Sequence, residues 1–534
     1  MEEDELVASA DSSPKTTLSR NEVRHLISLG HVLVLHRRSV YRLNNWLSRH
    51  PGGHLAILHF VGRDAANEIE AYHCKDTIER VMRHYIVAKV EEKDLSEEVG
   101  WKPLTPLVQL GKEGAFGSIQ DYAGEKGTAR NWKQDLKAYR SGQVDGQPVQ
   151  KLVEEEELEP PSPPESIIPS EQYRISKAWE VLHQKLEDEG LYKARPLWHY
   201  RVELVRYFGL FLGFLYVFMH ASRTWHYYLA AVLLGACWHQ VTFVVHDAGH
   251  TEVAGDYHID RIIGSLVASW FGGLSCGWWC DNHNIHHLVT NHIEHDPDIQ
   301  HVPFFAISNK FFGNIYSTYK RRILLFDAAS RFFVSMQHKL YYIVMSLARF
   351  NLFAESYMYL LFRAPSGFYR NLELTGVAFF WLWFGKGVLG SIPTLGTRLG
   401  FVVLCFMVTS PLHVQIVLSH FAQSTEDMGL YETFPARQLR TTMDVTCPEY
   451  IEWIHGGLNM QVTHHLFPRL PRHNLRRASK FIQEFAKEQG LEYHTYHFIQ
   501  GNQRVLSVLK DVADQVHVLG KVASAQARGE FHHH

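Results

Sequence analysis

The chain has 534 residues, enough for more than one domain. Its 53 Lys and Arg against 56 Asp and Glu leave a formal net charge of −3, which argues against a nucleic-acid binder. Six scattered cysteines, several of them in apolar segments, do not make a disulfide framework. The 35 histidines, most of them beyond position 190, are the unusual feature.

The first residues, Met1 to Ser13, are acidic and polar. No secretory signal is read there, so membrane insertion is expected to use internal spans, with the N-terminus left in the cytosol. Ser19 reads as a helix N-cap and His31 to His36 as a strand. His50-Pro51-Gly52-Gly53 follows, where Pro fixes φ and two glycines permit a sharp turn. His73 comes after a helical segment that includes Arg63-Asp64-Ala65-Ala66. Two histidines on opposite walls suit axial ligation of a haem iron, and saturating the iron leaves it to carry electrons. Residues 18–95 resemble cytochrome b5 in His50-Pro51-Gly52-Gly53, in the Gly62-Arg63-Asp64-Ala65 run and in His73. The resemblance implies an α+β domain holding haem b between His50 and His73. Cys74 stands where the commonest members place the second ligand. His73 is preferred, because cysteine would change the electronic character of the haem. Glu68, Glu70, Asp76 and Glu79 are candidates to steer a basic reductase, or equally a solvated helical face.

Residues 96–170 read as a polar, Pro-rich linker, with an acidic run at Glu154–Glu157 and prolines at 160, 161, 163 and 164. An amphipathic helix is expected within Trp132 to Tyr139. Such a tether suits a mobile electron carrier, and equally a passive spacer.

Residues 171–500 read as an all-α membrane body. Ile175 to Leu191 is a charged amphipathic helix. Tyr207 to Ser222 and Tyr228 to Val245 form one membrane hairpin, and Leu374 to Leu389 with Leu399 to Ser419 a second. Ile262 to Cys280 is too rich in Gly, Ser and Trp for a span, and Leu340 to Leu361 is interrupted by Arg349 and Glu355. Both are expected to be re-entrant or interfacial. Arg195, Arg201 and Arg206 before the first span and Lys320, Arg321 and Arg322 in the middle loop predict four spans with both loops cytosolic. Residues 501–534 are set aside as a C-terminal tail whose GEFHHH end looks like a cloning remnant.

Three histidine clusters flank these spans, and the predicted topology puts all of them on the cytosolic side. They are His246 and His250; His283, His286 and His287; and Gln461, His464 and His465. Histidines at i, i+3 and i+4 share one helical face. His420 ends the fourth span as a further candidate. Eight imidazoles and one amide are too many for one metal and suit two with open positions. His292, His295 and His301 are expected to support the second cluster by hydrogen bonds, as are Asp296 and Asp298. His413 is either a packing residue or part of a substrate path. Trp278 and Trp279 flank a tunnel or anchor the interface.

The boxes HX3H at 246, HX2HH at 283 and QX2HH at 461, in that order, resemble those of the membrane-bound fatty-acyl and sphingolipid desaturases. Glutamine opening the third box behind a fused haem domain is the front-end pattern. The stretches HDAGH, HNIHHLVTNHIEHDPDIQH, LRTTMDV and LPRHNLRR are most similar to fungal Δ8-sphingolipid desaturases. The resemblance implies two irons on the residues named, O2 as co-substrate, and electrons from NADH through a separate cytochrome b5 reductase. It also implies a ceramide-type lipid substrate and an endoplasmic reticulum membrane location. Only resemblance favours a sphingolipid over a fatty-acyl substrate. The ligands alone fit a hydroxylase as well, and a non-catalytic membrane-tethered electron carrier is the remaining alternative.

Overall fold

The computed structural model describes residues 16–91, 103–105, 131–144, 147–148 and 161–528. The acidic N-terminal stretch, the Glu154–Glu157 run and the terminal GEFHHH lie outside these. The chain divides into two compact units, one of residues 1–180 with 427–436, the other of 181–426 with 437–534.

The first unit is built on a four-stranded sheet in the order β1 (Thr17–Leu18), β4 (Ile86–Val90), β3 (Ser39–Arg42), β2 (Leu33–His36). β1 and β4 run parallel and the other pairs antiparallel. Ser19 caps the Arg20–Ser28 helix as expected. Its Oγ accepts from the Glu22 N–H, and Glu22 returns the bond to Ser19 N at 2.8 Å. Val23, Leu26 and Ile27 of that helix are buried, with Leu33 to Leu35 of β2 and Val40 and Tyr41 of β3. The helix expected in the linker runs Trp132–Ser141, and its Arg140 pairs with Glu22 at 2.6 Å. Gly62 has φ 74°, and a Cβ there would meet the Thr105 hydroxyl at 2.3 Å, so only glycine fits. Residues 427–436 belong to this unit, where Thr433 N and Oγ1 both donate to Gln172 Oε1 at 2.9 Å.

Glu68 and Glu70 are buried, and Glu70 is tied to His36 at 3.0 Å and Arg37 at 2.8 Å. Both are covered although they point to different sides of their helix, so neither is free to steer a partner. Asp76 and Glu79 are exposed, beside Arg80 and Lys75.

Among the described residues, the second unit contains four helices long and apolar enough to cross a membrane: Arg201–Met219, Thr224–Gly249, Phe368–Leu389 and Leu395–Phe421. The second and fourth are each 56% buried against 11% and 28% for the first and third, so the central pair is the one that carries His246 and His420. Phe214, Trp238, Phe380, Phe384 and Phe401 fill the space among the spans. Ile262 to Cys280 is not a span. The Tyr257–Ser265 helix widens into a turn ending at Phe271, and a new helix, Cys276–Leu288, carries the HNIHH residues. Ser275 Oγ caps that helix by accepting from Trp278 N at 3.0 Å. The buried Glu373 of the third span accepts from Gly277 N at 3.0 Å and pairs with Arg261 at 2.6 Å, so a carboxylate sits at the helix's positive end.

The Gln337–Met358 helix is not among the four spans. Its Arg349 is buried, donating to Gly272 O at 2.9 Å and lying over the Trp238 ring at 4.5 Å. The final helix, Phe498–Ala527, buries Val505, Leu509, Val512 and Val516 against Tyr341, Met345, Val417 and Leu418.

Candidate metal centres

The second and fourth spans, the Cys276–Leu288 helix and the short Gln461–Leu466 helix converge and bring the three boxes together. His246, His250, His283 and His464 form one group, and His286, His420 and His465 a second, with ligand atoms in each within 4.8 Å of one another. His287 stands between the groups, its ring 4.0 Å from that of His465 and 4.7 Å from that of His250. Its Nε2 is 3.0 Å from His283 Nε2. Two imidazole lone pairs face each other at that separation only with a proton or a cation between them. Gln461 is buried on the short helix one turn before His464 and His465.

Three outer nitrogens are hydrogen-bonded, and three more lie near a carboxylate. His286 Nδ1 donates to Asp296 at 2.9 Å, His465 Nδ1 to Gln438 Oε1 at 3.0 Å, and His420 Nδ1 to Thr441 O at 3.2 Å. His464 Nδ1 lies 3.6 Å from Glu252, His246 Nδ1 3.6 Å from Asp247 and His283 Nδ1 3.6 Å from Asp298. The Nε2 atoms of His246, His250, His286, His464 and His465 are buried with no hydrogen-bond partner. A carboxylate or amide on Nδ1 and a bare Nε2 facing inward is the arrangement of metal-binding histidine. Seven imidazoles with orphaned or crowded nitrogens thus fit two metal ions.

Charge follows the same pattern. Burial and the neighbouring imidazoles hold His250, His287, His464 and His465 well below the usual histidine range, and His283 falls to about 4 mainly through burial. These rings are neutral, as metal ligation requires. His286 is the exception. Burial opposes its charge, but Asp296 and Asp298 outweigh that and raise it. Asp298 is held well below the carboxylate range. Burial acts against this, and His286 and His283 overcome it.

These ligands form two tight groups that the box spacing did not separate. Several supporting residues were not found from sequence. Gln438 bridges His465 and the His287 carbonyl, to which its Nε2 donates at 2.6 Å. Asn291 donates to His420 O at 2.9 Å. Asp247 is bound by Tyr200 and by Arg472, whose Nε lies 3.1 Å away. Asp247 was visible inside HDAGH, whereas nothing local marks Gln438. His295 supports Thr318 at 3.1 Å and stacks on His292, so neither belongs to a ligand group. Trp279 packs 4.3 Å from the His283 ring and closes the first group, while Trp278 is buried.

In the first unit His50 and His73 face each other with ring centroids 6.0 Å apart. Their Nδ1 atoms donate to Gly53 O at 2.9 Å and Ile69 O at 3.0 Å, turning both Nε2 atoms inward. The gap admits one metal ion with bonds of about 2 Å on each side. Burial lowers the His50 pKa and keeps its lone pair available. Cys74 is exposed, its Sγ against the Thr77 hydroxyl.

Residues 223–497 match the fatty acid desaturase family model. The chain belongs to the fatty acid desaturase family. Residues 19–91 of this desaturase also match the cytochrome b5-like heme/steroid binding domain. It is 39% identical to a Delta 8-(E)-sphingolipid desaturase of Emericella nidulans, over 98% of this chain and 100% of that one. It is 40% identical to the enzyme of the same name from Komagataella phaffii, over 94% of each chain. A third, from Candida albicans, is 37% identical over 94% of this desaturase and 96% of the relative.

Proposed function

We propose that this desaturase introduces the Δ8 double bond into the long-chain base of ceramide-type sphingolipids, drawing electrons through its own haem unit. The observation that carries the reading is the pair of buried imidazole groups with inward Nε2 atoms, in a chain similar from end to end to relatives named for that reaction. His246, His250, His283 and His464 hold one iron, His286, His420 and His465 the other, and His287 and Gln461 complete the set. His50 and His73 hold haem b. Two irons so held supply O2-dependent removal of two hydrogens from adjacent CH2 groups, with electrons originating from NADH through a separate cytochrome b5 reductase.

The chain's own residues do the rest. Asp296, Gln438 and the Thr441 carbonyl fix the tautomer and direction of His286, His465 and His420, so each presents a lone pair without rearrangement. Trp279 and the burial of the cluster exclude water, which keeps reactive oxidant from being lost to solvent. No acid–base side chain is required for C–H cleavage, and none is assigned. The names of the fungal relatives carry the E configuration, which we take for the product. The arginines before the first span and the basic Lys320–Arg322 run favour a cytosolic face for both metal groups and the haem unit, in the endoplasmic reticulum membrane.

The test is lipid analysis of a yeast lacking sphingolipid desaturation that expresses the chain or its His283→Ala variant. A Δ8 double bond in the long-chain base, absent with the variant, is the expected result. Unsaturation confined to fatty acids, or a hydroxylated product, overturns the assignment.

A further inference from the structure

The LRTTMDV stretch, Leu439 to Val445, runs between elements that carry the ligands, and none of its residues belongs to either metal group. Its backbone ties those elements together. Thr441 O accepts from His420 Nδ1 at 3.2 Å, and Met443 N donates to Ser419 O at 3.0 Å, which fastens the stretch to the end of the fourth span. Val445 N donates to Asn459 O at 2.8 Å, just ahead of the third box. Met443 and Val445 are buried with Leu418, Phe421, Val505 and Leu509. Adjacent residues of an extended strand point to opposite faces, so Asp444, between them, is turned the other way.

Asp444 is buried, and both of its oxygens are used. Oδ1 accepts from Val462 N at 2.8 Å, and Oδ2 accepts from the Tyr493 hydroxyl. Val462 is the second residue of the Gln461–Leu466 helix, and Met460, just before that helix, supplies no side-chain cap. The first N–H groups of a helix lack partners within it, and a carboxylate there satisfies one of them and complements the positive end. A helix of six residues does not hold itself in water, so its direction is set by what it is bonded to. Tyr493 comes from the segment that follows the Leu475–Gln489 helix. The strand it leads into, Thr495–His497, pairs in parallel with Asp444–Thr446, and Asp444 N donates to His494 O at 2.9 Å. The ligands lie on the same short helix, just past Val462. His464 belongs to the four-histidine group and His465 to the other. Any rotation of this helix therefore moves one ligand of each group.

We propose that Asp444 is a positioning residue for the third box: with Tyr493 it fixes the direction of the Gln461–Leu466 helix, so that one carboxylate aims both His464 and His465 and keeps both metal groups filled. The proposal rests on the two-iron reading above and deepens it. Asp444 reaches the ligands only through the backbone of their helix. Asp296 differs, because it binds the ring of His286 and so acts on one group. Asparagine at 444 keeps an oxygen for Val462 N and presents an N–H2 that donates to the Tyr493 oxygen, so the bonds and not the charge do the positioning. The residues beyond Gly490 thereby serve the metal site, since they deliver Tyr493 and the strand that holds Asp444 in place.

The experiment uses the full chain, purified in detergent with haem and iron, as parent, Asp444→Ala, Asp444→Asn and Tyr493→Phe. Non-haem iron per haem is followed through a graded chelator challenge. The same proteins reloaded with Co2+ give ligand-field absorption that reports the geometry of the imidazoles. For Asp444→Ala the expected result is loss of both irons together at about tenfold lower chelator, with an altered cobalt spectrum. Asp444→Asn restores the retention and the spectrum of the parent. Tyr493→Phe falls between, again losing both metals in step. Parent-like retention in Asp444→Ala, or loss of one iron only, overturns the proposal, as does an Asn variant as weak as Ala. Where Asp444→Ala yields no folded protein, Tyr493→Phe decides: parallel weakening of both irons supports the proposal, and parent-like retention or loss of one iron overturns it. A parent that holds fewer than two non-haem irons per haem overturns the underlying two-iron reading instead.

Discussion

Asp296→Asn separates the two metal groups. Asp296 is fully buried and accepts three hydrogen bonds: from Asn291 N at 2.7 Å, Asp298 N at 2.8 Å and His286 Nδ1 at 2.9 Å. Asparagine keeps one carbonyl oxygen, turns an N–H2 toward a remaining donor and removes the negative charge. Losing a charge-assisted bond to a buried imidazole costs about 1.5–3 kcal/mol. Removing such a partner from a metal-bound histidine typically lowers metal affinity about 10–100-fold. His286 belongs only to the group with His420 and His465, and no member of the other group bonds to Asp296. Purified parent protein should hold two non-haem irons per haem through a graded chelator challenge. The variant should fall toward one at chelator levels the parent resists, with haem absorbance unchanged. Loss of both irons together, or retention of both at every concentration, refutes the independence of the two groups.

Three further outcomes follow from single contacts. A Cβ at Gly249 would come within 2.1 Å of the Trp279 ring, which packs against His283, so Gly249→Ala should cost about 1–3 kcal/mol in stability. Its iron loss should fall on the four-histidine group, measured by metal content after detergent extraction. Cys74→Ser should keep full haem absorbance and His73→Ala should lose it, because Cys74 is exposed while His73 faces His50; the opposite pattern makes Cys74 the ligand. Burial raises Asp64 to about 6, even though it accepts from Arg37 N at 3.0 Å and Ala66 N at 3.1 Å. Between the unfolded value and about 6 the folded state binds the extra proton. Asp64 therefore contributes stability in acid that is lost as pH rises through 6, on the order of 3 kcal/mol. Haem-monitored unfolding at pH 5 and pH 8 should show a smaller pH difference in Asp64→Asn than in the parent, and an equal difference refutes the assignment.

What was legible in the sequence follows from the range over which each signal acts. The HNIHH face, the HDAGH pair and the Ser19 cap are set by spacing within one helix turn, and local periodicity reads them directly. The four spans were legible because apolar length is itself the physical requirement. The burial of Glu68 and Glu70 was not, because whether a polar side of a helix is solvated or covered depends on what packs on it from elsewhere in the chain. Arg349 interrupts an apolar run in a helix that is not among the four spans, as expected, but its partners, the Trp238 ring and the Gly272 carbonyl, could not be read from the sequence. Gln438 and Asn291 reach the ligands from elsewhere in the chain, and no local pattern marks either one.

The division of the histidines into two groups shows where spacing stops being informative. Within HNIHH, His283 and His286 fall into different groups, and His464 and His465 divide in the same way although they are adjacent. Adjacent residues on a helix point about 100° apart, so a doublet is suited to feeding two centres rather than crowding one. The i, i+3, i+4 pattern therefore encodes two directions at once, with His287 facing the gap between them.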